Sequence, residues 1–196
     1  KGIRIEADIT VKCNDEEKAR EYARNAIEIK EGEITEISPR TPDARNKKDY
    51  SAAIIDFVIY VPKNIKVNVV ANHGDISAEG VEGECVLENR NGKIEAENIT
   101  GNINMDNSFG DIRVRNVQGN AVITNKNGEI YVDRISGGTT IEGSFGDIEV
   151  TAVGGDLKIV SSNGEITVSD VSGKAELVNS FGDISIDKVR GDITVE

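Results

Sequence analysis

Six carboxylates recur in register along the second part of the chain. Asp75, Asp111, Glu129, Asp147, Glu165 and Asp183 each follow a glycine, and Lys93 is the exception in the same series. Carboxylate oxygens are hard ligands, and a stack of them at the ~4.8 Å spacing of neighbouring strands could share divalent cations. The competing reading is that they are solvated residues at strand starts, where charge blocks edge-to-edge pairing. Asp111, Glu129, Asp147, Glu165 and Asp183 are therefore the candidate metal ligands, and no other cofactor is expected.

A second series is aromatic. Phe109, Phe145 and Phe181 each precede one of those glycines, with Asn91, Asn127 and Asn163 at the intervening places. An exposed aromatic stripe could bind glycan or peptide; alternatively the rings close a gap in the core at one kind of corner. His73 occupies the same slot and is the only histidine. Without a partner serine, cysteine or second histidine it forms neither a nucleophilic triad nor a metal site. Asn89, Asn107, Asn125 and Asn179 stand two residues ahead of that slot and suggest a structural amide ladder.

What positions these residues is a repeat. Cut every nine residues from Ala71, the chain gives fourteen units with glycine fourth in every one, from Gly74 to Gly191, without insertion. Positions six and eight are apolar, as in Ile112 and Val114 or Ile148 and Val150, and Thr139 is the one polar exception. Alternating β-branched residues after a glycine turn describe a short strand with one buried face. The second position is apolar only in alternate units: Val81, Ile99, Val117, Ile135, Val153, Val171 and Val189. Two unlike nonamers thus make one coil, and residues 71–196 are predicted to form a parallel β-solenoid of seven eighteen-residue coils. No coil can bury its apolar face alone; stacking creates the core. A left-handed hexapeptide helix would repeat its inward positions every six residues. A calcium-binding nonapeptide roll would need Asp where Ile112, Ile148 and Ile184 stand.

Residues 1–70 read as a separate α+β cap. Ile3, Ile5, Ala7, Ile9 and Val11 alternate with polar residues as in a half-buried strand. Asn14 or Asp15 caps a helix running to about Asn25, with acidic residues at its start. Ile27–Ile37 reads as a hairpin, 39–50 as a polar loop and Ser51–Val61 as an apolar strand. Such a segment is expected to cover the open end of a solenoid.

Charge separates the two parts. Residues 1–70 hold thirteen basic and thirteen acidic side chains, whereas 71–196 hold ten and twenty-two, so the net charge of −12 lies on the repeats. That sign repels phosphate backbones, and nucleic acid is not an expected partner. No stretch approaches the ~18 apolar residues of a membrane span. The chain opens at Lys1 without an initiator Met, which reads as a fragment or processed form. Cys13 and Cys85 do not make a disulfide framework, and Cys85 falls on an inward position.

The outward residues of the two legs differ. Val86, Val122, Val160 and Val178, with Thr124, Thr140 and Thr194, make one leg Val/Thr-rich and are expected to share an outward column that meets a partner or a second copy. The other leg exposes Glu95, Arg113, Arg115, Glu149 and Asp187.

Across residues 51–196 the chain resembles the bacterial adhesin-like family of domains of unknown function. The resemblance rests on Ser108-Phe109-Gly110-Asp111-Ile112 and its copies at 144–148 and 180–184. These alternate with Asn127-Gly128-Glu129-Ile130 and Asn163-Gly164-Glu165-Ile166, after the Val61-Pro62 step. It implies an envelope-associated, extracytoplasmic interaction domain with no catalytic motif. The expected function is a non-catalytic scaffold or adhesin-like module whose partner is a protein or envelope component. A cation-dependent surface module is the first alternative. A carbohydrate-active β-helix enzyme is the second; it needs paired carboxylates in a cleft, and an insertion-free lattice offers no walls for one.

Overall fold

The structure, a computed structural model, describes residues 2–32, 35–40 and 50–196, with residues 50–53 described by backbone alone. The chain divides into two compact units, Lys1–Pro62 and Lys63–Glu196.

In the first unit, β1 (Arg4–Cys13) is followed by α1 (Glu16–Asn25), β2 (Ile27–Lys30), β3 (Glu36–Pro39) and β4 (Tyr50–Tyr60). Asp15 is the helix cap: its carboxylate accepts from the N–H groups of Glu17 and Lys18, and Glu16 and Glu17 lie at the positive end of the helix dipole. β1 and β4 pair antiparallel, from Arg4 opposite Tyr60 to Cys13 opposite Tyr50, with a register shift after Lys12. β2 and β3 form the expected hairpin, with Lys30 opposite Glu36. Most of the predicted polar loop, 41–49, lies outside the described residues.

The second unit is the predicted solenoid. Its first strand, Val67–Ala71, lies just ahead of the nine-residue lattice. Every coil-to-coil pairing is parallel and advances by eighteen residues, so Ile112 lies between Ile94 and Ile130, and Ile123 between Met105 and Ile141. Two sheets result. One has seven strands, from Ile76–Glu79 to Ile184–Val189; the other has eight, from Val67–Ala71 to Ile193–Val195. Between them lie the stacked columns of Ile94, Ile112, Ile130, Ile148 and Ile166 and of Ile123, Ile141 and Ile159, all buried. Cys85 is buried in the same core, and burial pushes its thiol up to about 11; both cysteines are free.

The two sheets keep different phases. In the strand Ile103–Phe109 the buried residues are Ile103, Met105 and Asn107, a plain alternation. In the strand Ile112–Gln118 they are Ile112, Val114 and Val117, with a slip at Asn116. Asn116 has φ of 55°, and its stacked equivalents Asn98, Arg134, Ala152, Asp170 and Lys188 lie between 55° and 60°. This left-handed residue adds one step to the alternation, which is why the second position of alternate units is apolar.

The plain-alternation sheet instead turns an asparagine inward. Asn107 and Asn125 each donate from Nδ2 to the carbonyl of the corner glycine in their own coil and in the preceding one, at 3.0–3.1 Å. Asn89 and Asn179 donate to Gly74 and Gly164 at 2.8 and 2.9 Å. These amides, of which Asn89, Asn107 and Asn125 are buried, supply donors to the carbonyls of the turn glycines. The ladder is broken at Gly143 and Ser161.

Candidate ligand-binding corner

The corner glycine fixes where the chemistry-bearing residues lie. Gly146 has φ of 121°, and a Cβ there would stand 2.2 Å from the carbonyl oxygen of Gly128. Both backbone angle and contact with the coil beneath therefore require glycine. With this position pinned in every coil, residues before and after it form straight columns along the solenoid.

The column before the glycine carries Asn91, Phe109, Asn127, Phe145, Asn163 and Phe181, and the register pairs Asn91 with Phe109, Asn127 with Phe145 and Asn163 with Phe181. The expectation that the rings close a gap in the core is not met: Phe109, Phe145 and Phe181 are 53%, 59% and 71% exposed. Beside Phe109 and Phe181 the inward position is held by the amides of Asn107 and Asn179, and beside Phe145 it is Gly143, against which Ile148 packs. The asparagines between the rings bend back onto the chain. Asn91, Asn127 and Asn163 donate to the carbonyls of Asn72, Ser108 and Ser144, each at 3.1 Å. The result is a comb in which rings project on every second coil with a low asparagine step between them. His73, also exposed, stands 36 residues before Phe109 on the same two-coil period.

The carboxylate column lies after the glycine. Asp75, Asp111 and Asp147 each accept, through Oδ1, the backbone N–H of the next coil's equivalent residue: Lys93 at 2.8 Å, Glu129 at 3.2 Å and Glu165 at 2.8 Å. The short Asp side chain alternates with Lys93, Glu129 and Glu165 because only the former turns back to cap an N–H; Glu129 and Glu165 are exposed. Among the described residues no group of three or more His, Cys, Asp or Glu comes together as a cage for a metal ion. Asp75, Asp111 and Asp147 are thus coil-to-coil staples, and Glu129 and Glu165 leave an exposed charge between them. Asp147, Glu165 and Asp183 are all exposed beside the rings of Phe145 and Phe181. On the other flank stand Arg90 and Lys126 in earlier coils, and then only Ser144, Ser162 and Ser180.

The valines do not share one column. Val86 and Val122 both neighbour Asn104, whereas Val160 lies between Glu142 and Val178. The first column continues through Thr140 to Lys158 and Glu176, which form an ion pair. The second holds Glu88, Asp106, Thr124 and Glu142 before Val160. Positions seven and nine of a unit both point outward but lie two residues, ~6.8 Å, apart along the strand, so outward direction does not place them together. Val122 and Val160 are exposed, Val86 and Val178 half-buried, and charged residues interrupt both columns.

A groove of about 540 Å³ lies at the left-handed bend, lined by Asn98, Asn116, Arg134, Ala152 and Asp170 with neighbouring residues. It was not expected from the sequence. The available signal is the three-residue step from Val114 to Val117, against the two-residue step from Met105 to Asn107.

Comparison with known proteins gives one match: the model of a domain family described as Toastrack DUF4097 spans residues 6–196. No curated protein and no solved structure matches the chain.

Proposed function

The chain belongs to the Toastrack DUF4097 family, a family of domains of unknown function, and from that premise we propose that it is a non-catalytic binding scaffold of the cell envelope. The observation that carries the reading is the unbroken lattice. Each position recurs every eighteen residues in register along the coils, and the strands from Val67 to Val195 follow one another without an inserted loop. Such a surface suits an elongated partner that makes the same contact several times. The acidic repeats disfavour nucleic acid and anionic lipid. Envelope placement rests on the family resemblance carried by the repeated Ser-Phe-Gly-Asp-Ile motif, and adhesion is one form the role can take.

Two experiments test this. Fractionation of the host cell with an antibody to the chain is expected to recover it with the envelope; exclusive recovery in the cytosol sinks that part of the reading. Incubation of the purified protein with polysaccharide, ester, peptide and nucleotide substrates is expected to give no turnover, and any saturable turnover lost with denaturation overturns the non-catalytic assignment. The cation-dependent alternative has less support, because Asp75, Asp111 and Asp147 each commit an oxygen to a backbone N–H. It predicts a rise in melting temperature with millimolar calcium, whereas the scaffold reading predicts none beyond that of matched ionic strength.

A further inference from the structure

We infer that the phenylalanine comb docks a basic, proline-rich peptide segment held as a polyproline II helix along the solenoid axis; this rests on the scaffold reading and names its partner class. The first argument is geometric. Phe109, Phe145 and Phe181 are each separated by two coils, so their spacing is about twice the ~4.8 Å strand separation, or ~9.6 Å. A polyproline II helix has three residues per turn and rises ~3.1 Å per residue, so it presents the same face every ~9.3 Å. Over three rings the two periods drift apart by only ~0.6 Å. An α-helix offers the same face after two turns at ~10.8 Å and drifts ~2.4 Å over the same span. An extended strand repeats its face every ~6.8 Å and misses the next ring by ~2.8 Å. Only the polyproline II period keeps all three rings in contact.

The second argument is chemical. The rings are exposed while the asparagine steps between them are hydrogen-bonded to backbone carbonyls of the preceding coil, so exposed aromatic and tied polar positions alternate along the column. Proline rings pack against aromatic walls, and a polyproline II segment is already ordered, so it loses little conformational entropy on docking. Beside Phe145 and Phe181 the exposed carboxylates of Asp147, Glu165 and Asp183 form one charged flank, opposite uncharged serines. A ligand with Arg at every third residue sets its prolines toward the rings and its guanidinium groups toward that flank. Each guanidinium then meets every second carboxylate and can also lie over a ring face. A neutral glycan would leave the carboxylate flank without a partner.

The test uses the full chain and a fluorescein-labelled (Pro-Pro-Arg)5 peptide, read by anisotropy. Expected is saturable binding at least about tenfold tighter than that of (Gly-Gly-Arg)5, which has the same charge without the pre-ordered helix. The double variant Phe145→Ser, Phe181→Ser is expected to lose at least about tenfold in affinity at an unchanged melting temperature, and Phe145→Tyr, Phe181→Tyr to retain it. Glu165→Gln with Asp183→Asn is expected to weaken binding and flatten its salt dependence. Equal affinity for the two peptides, insensitive to the phenylalanines, would mean bare charge attraction and would overturn the proposal. So would absence of binding, or Phe-dependent binding of a β-linked oligosaccharide in place of the peptide. The scaffold reading is judged by localisation and turnover, which these outcomes leave untouched.

Discussion

Both strands of a coil begin alike, with an isoleucine-type residue and then a valine-type residue pointing inward, and they finish differently. In the eight-stranded sheet the alternation runs on, and in four coils the third inward residue is an asparagine; the amides of Asn107 and Asn125 each tie the glycine turns of two coils together. In the seven-stranded sheet a left-handed residue delays the alternation by one, and the third inward residue is a valine or isoleucine. One end of the core is closed by hydrogen bonds and a strict backbone, the other by apolar packing and a bent backbone. The hydrogen-bonded end is the one that presents a comb of aromatic side chains in register; the packed end makes a groove. A projecting array needs a turn that is the same in every coil, and the glycine corner supplies it.

The comparison is broken most severely at the glycine. Gly146→Val would bring a Cβ within 2.2 Å of a backbone oxygen at a φ that valine avoids, so the expected loss exceeds about 4 kcal/mol or the variant fails to fold. Gly143→Ala would meet only the movable end of Ile148, at 3.0 Å, and is expected to cost about 1 kcal/mol or less. Urea melts of the two variants check this, and equal losses would refute the corner assignment.

Next in size is the amide ladder. Asn125→Leu keeps the branching of the side chain, enlarges it and increases the apolar character of the site, but it removes the donor shared by Gly110 and Gly128. A loss of about 2 kcal/mol is expected, as for a buried carbonyl left without a partner, because Gly128 loses its amide donor while Gly110 still accepts from Asn107. If the leucine instead stabilises the protein, the two ends of the core are closed in the same way and the contrast disappears.

A smaller effect sharpens the account of the carboxylates. Asp147 caps the N–H of Glu165, and Asp147→Ala is expected to lower stability by about 1 kcal/mol. Asp183 occupies the same motif and is exposed, and its carboxylate caps no backbone N–H among the described residues, so Asp183→Ala is expected to change stability by less than about 0.5 kcal/mol. Thermal melts that show equal shifts would count against the staple.

The repeat was readable because fourteen unbroken glycines and two inward positions per unit leave one consistent winding, and the observed register agrees with it residue by residue. The amide ladder was readable for the same reason. Three features were not. Sequence spacing places the four valines on one leg, and only pairing in register shows that Val122 neighbours Asn104 while Val160 neighbours Glu142. The phenylalanines stand where a ring could either close the core or lie exposed, and their spacing alone does not distinguish the two; the structure shows them exposed. The left-handed column escaped notice because its residues differ in type: Asn98 and Asp170 favour that conformation, while Arg134, Ala152 and Lys188 do not.

That last column gives the smallest effect and the only stabilising one. Ala152 has φ of 60°, where an L residue is strained by roughly 1–2 kcal/mol. Glycine carries no such strain, although its freer unfolded chain offsets about 0.5–1 kcal/mol of the gain. Ala152→Gly is therefore expected to stabilise the protein by about 0.5–1 kcal/mol, seen as a higher urea midpoint at an unchanged slope. The chain already tolerates glycine at this place in another coil, since Gly80 has φ of 64° and nothing within 4 Å of where its Cβ would stand. At the opposite corner the exchange of the same two residues has the other sign, because Gly146→Ala adds a Cβ where a carbonyl oxygen already lies. A loss of about 1 kcal/mol for Ala152→Gly, the usual result for glycine inside a strand, would show that the bend bears no strain. The difference between the two ends would then reduce to apolar packing against hydrogen bonding.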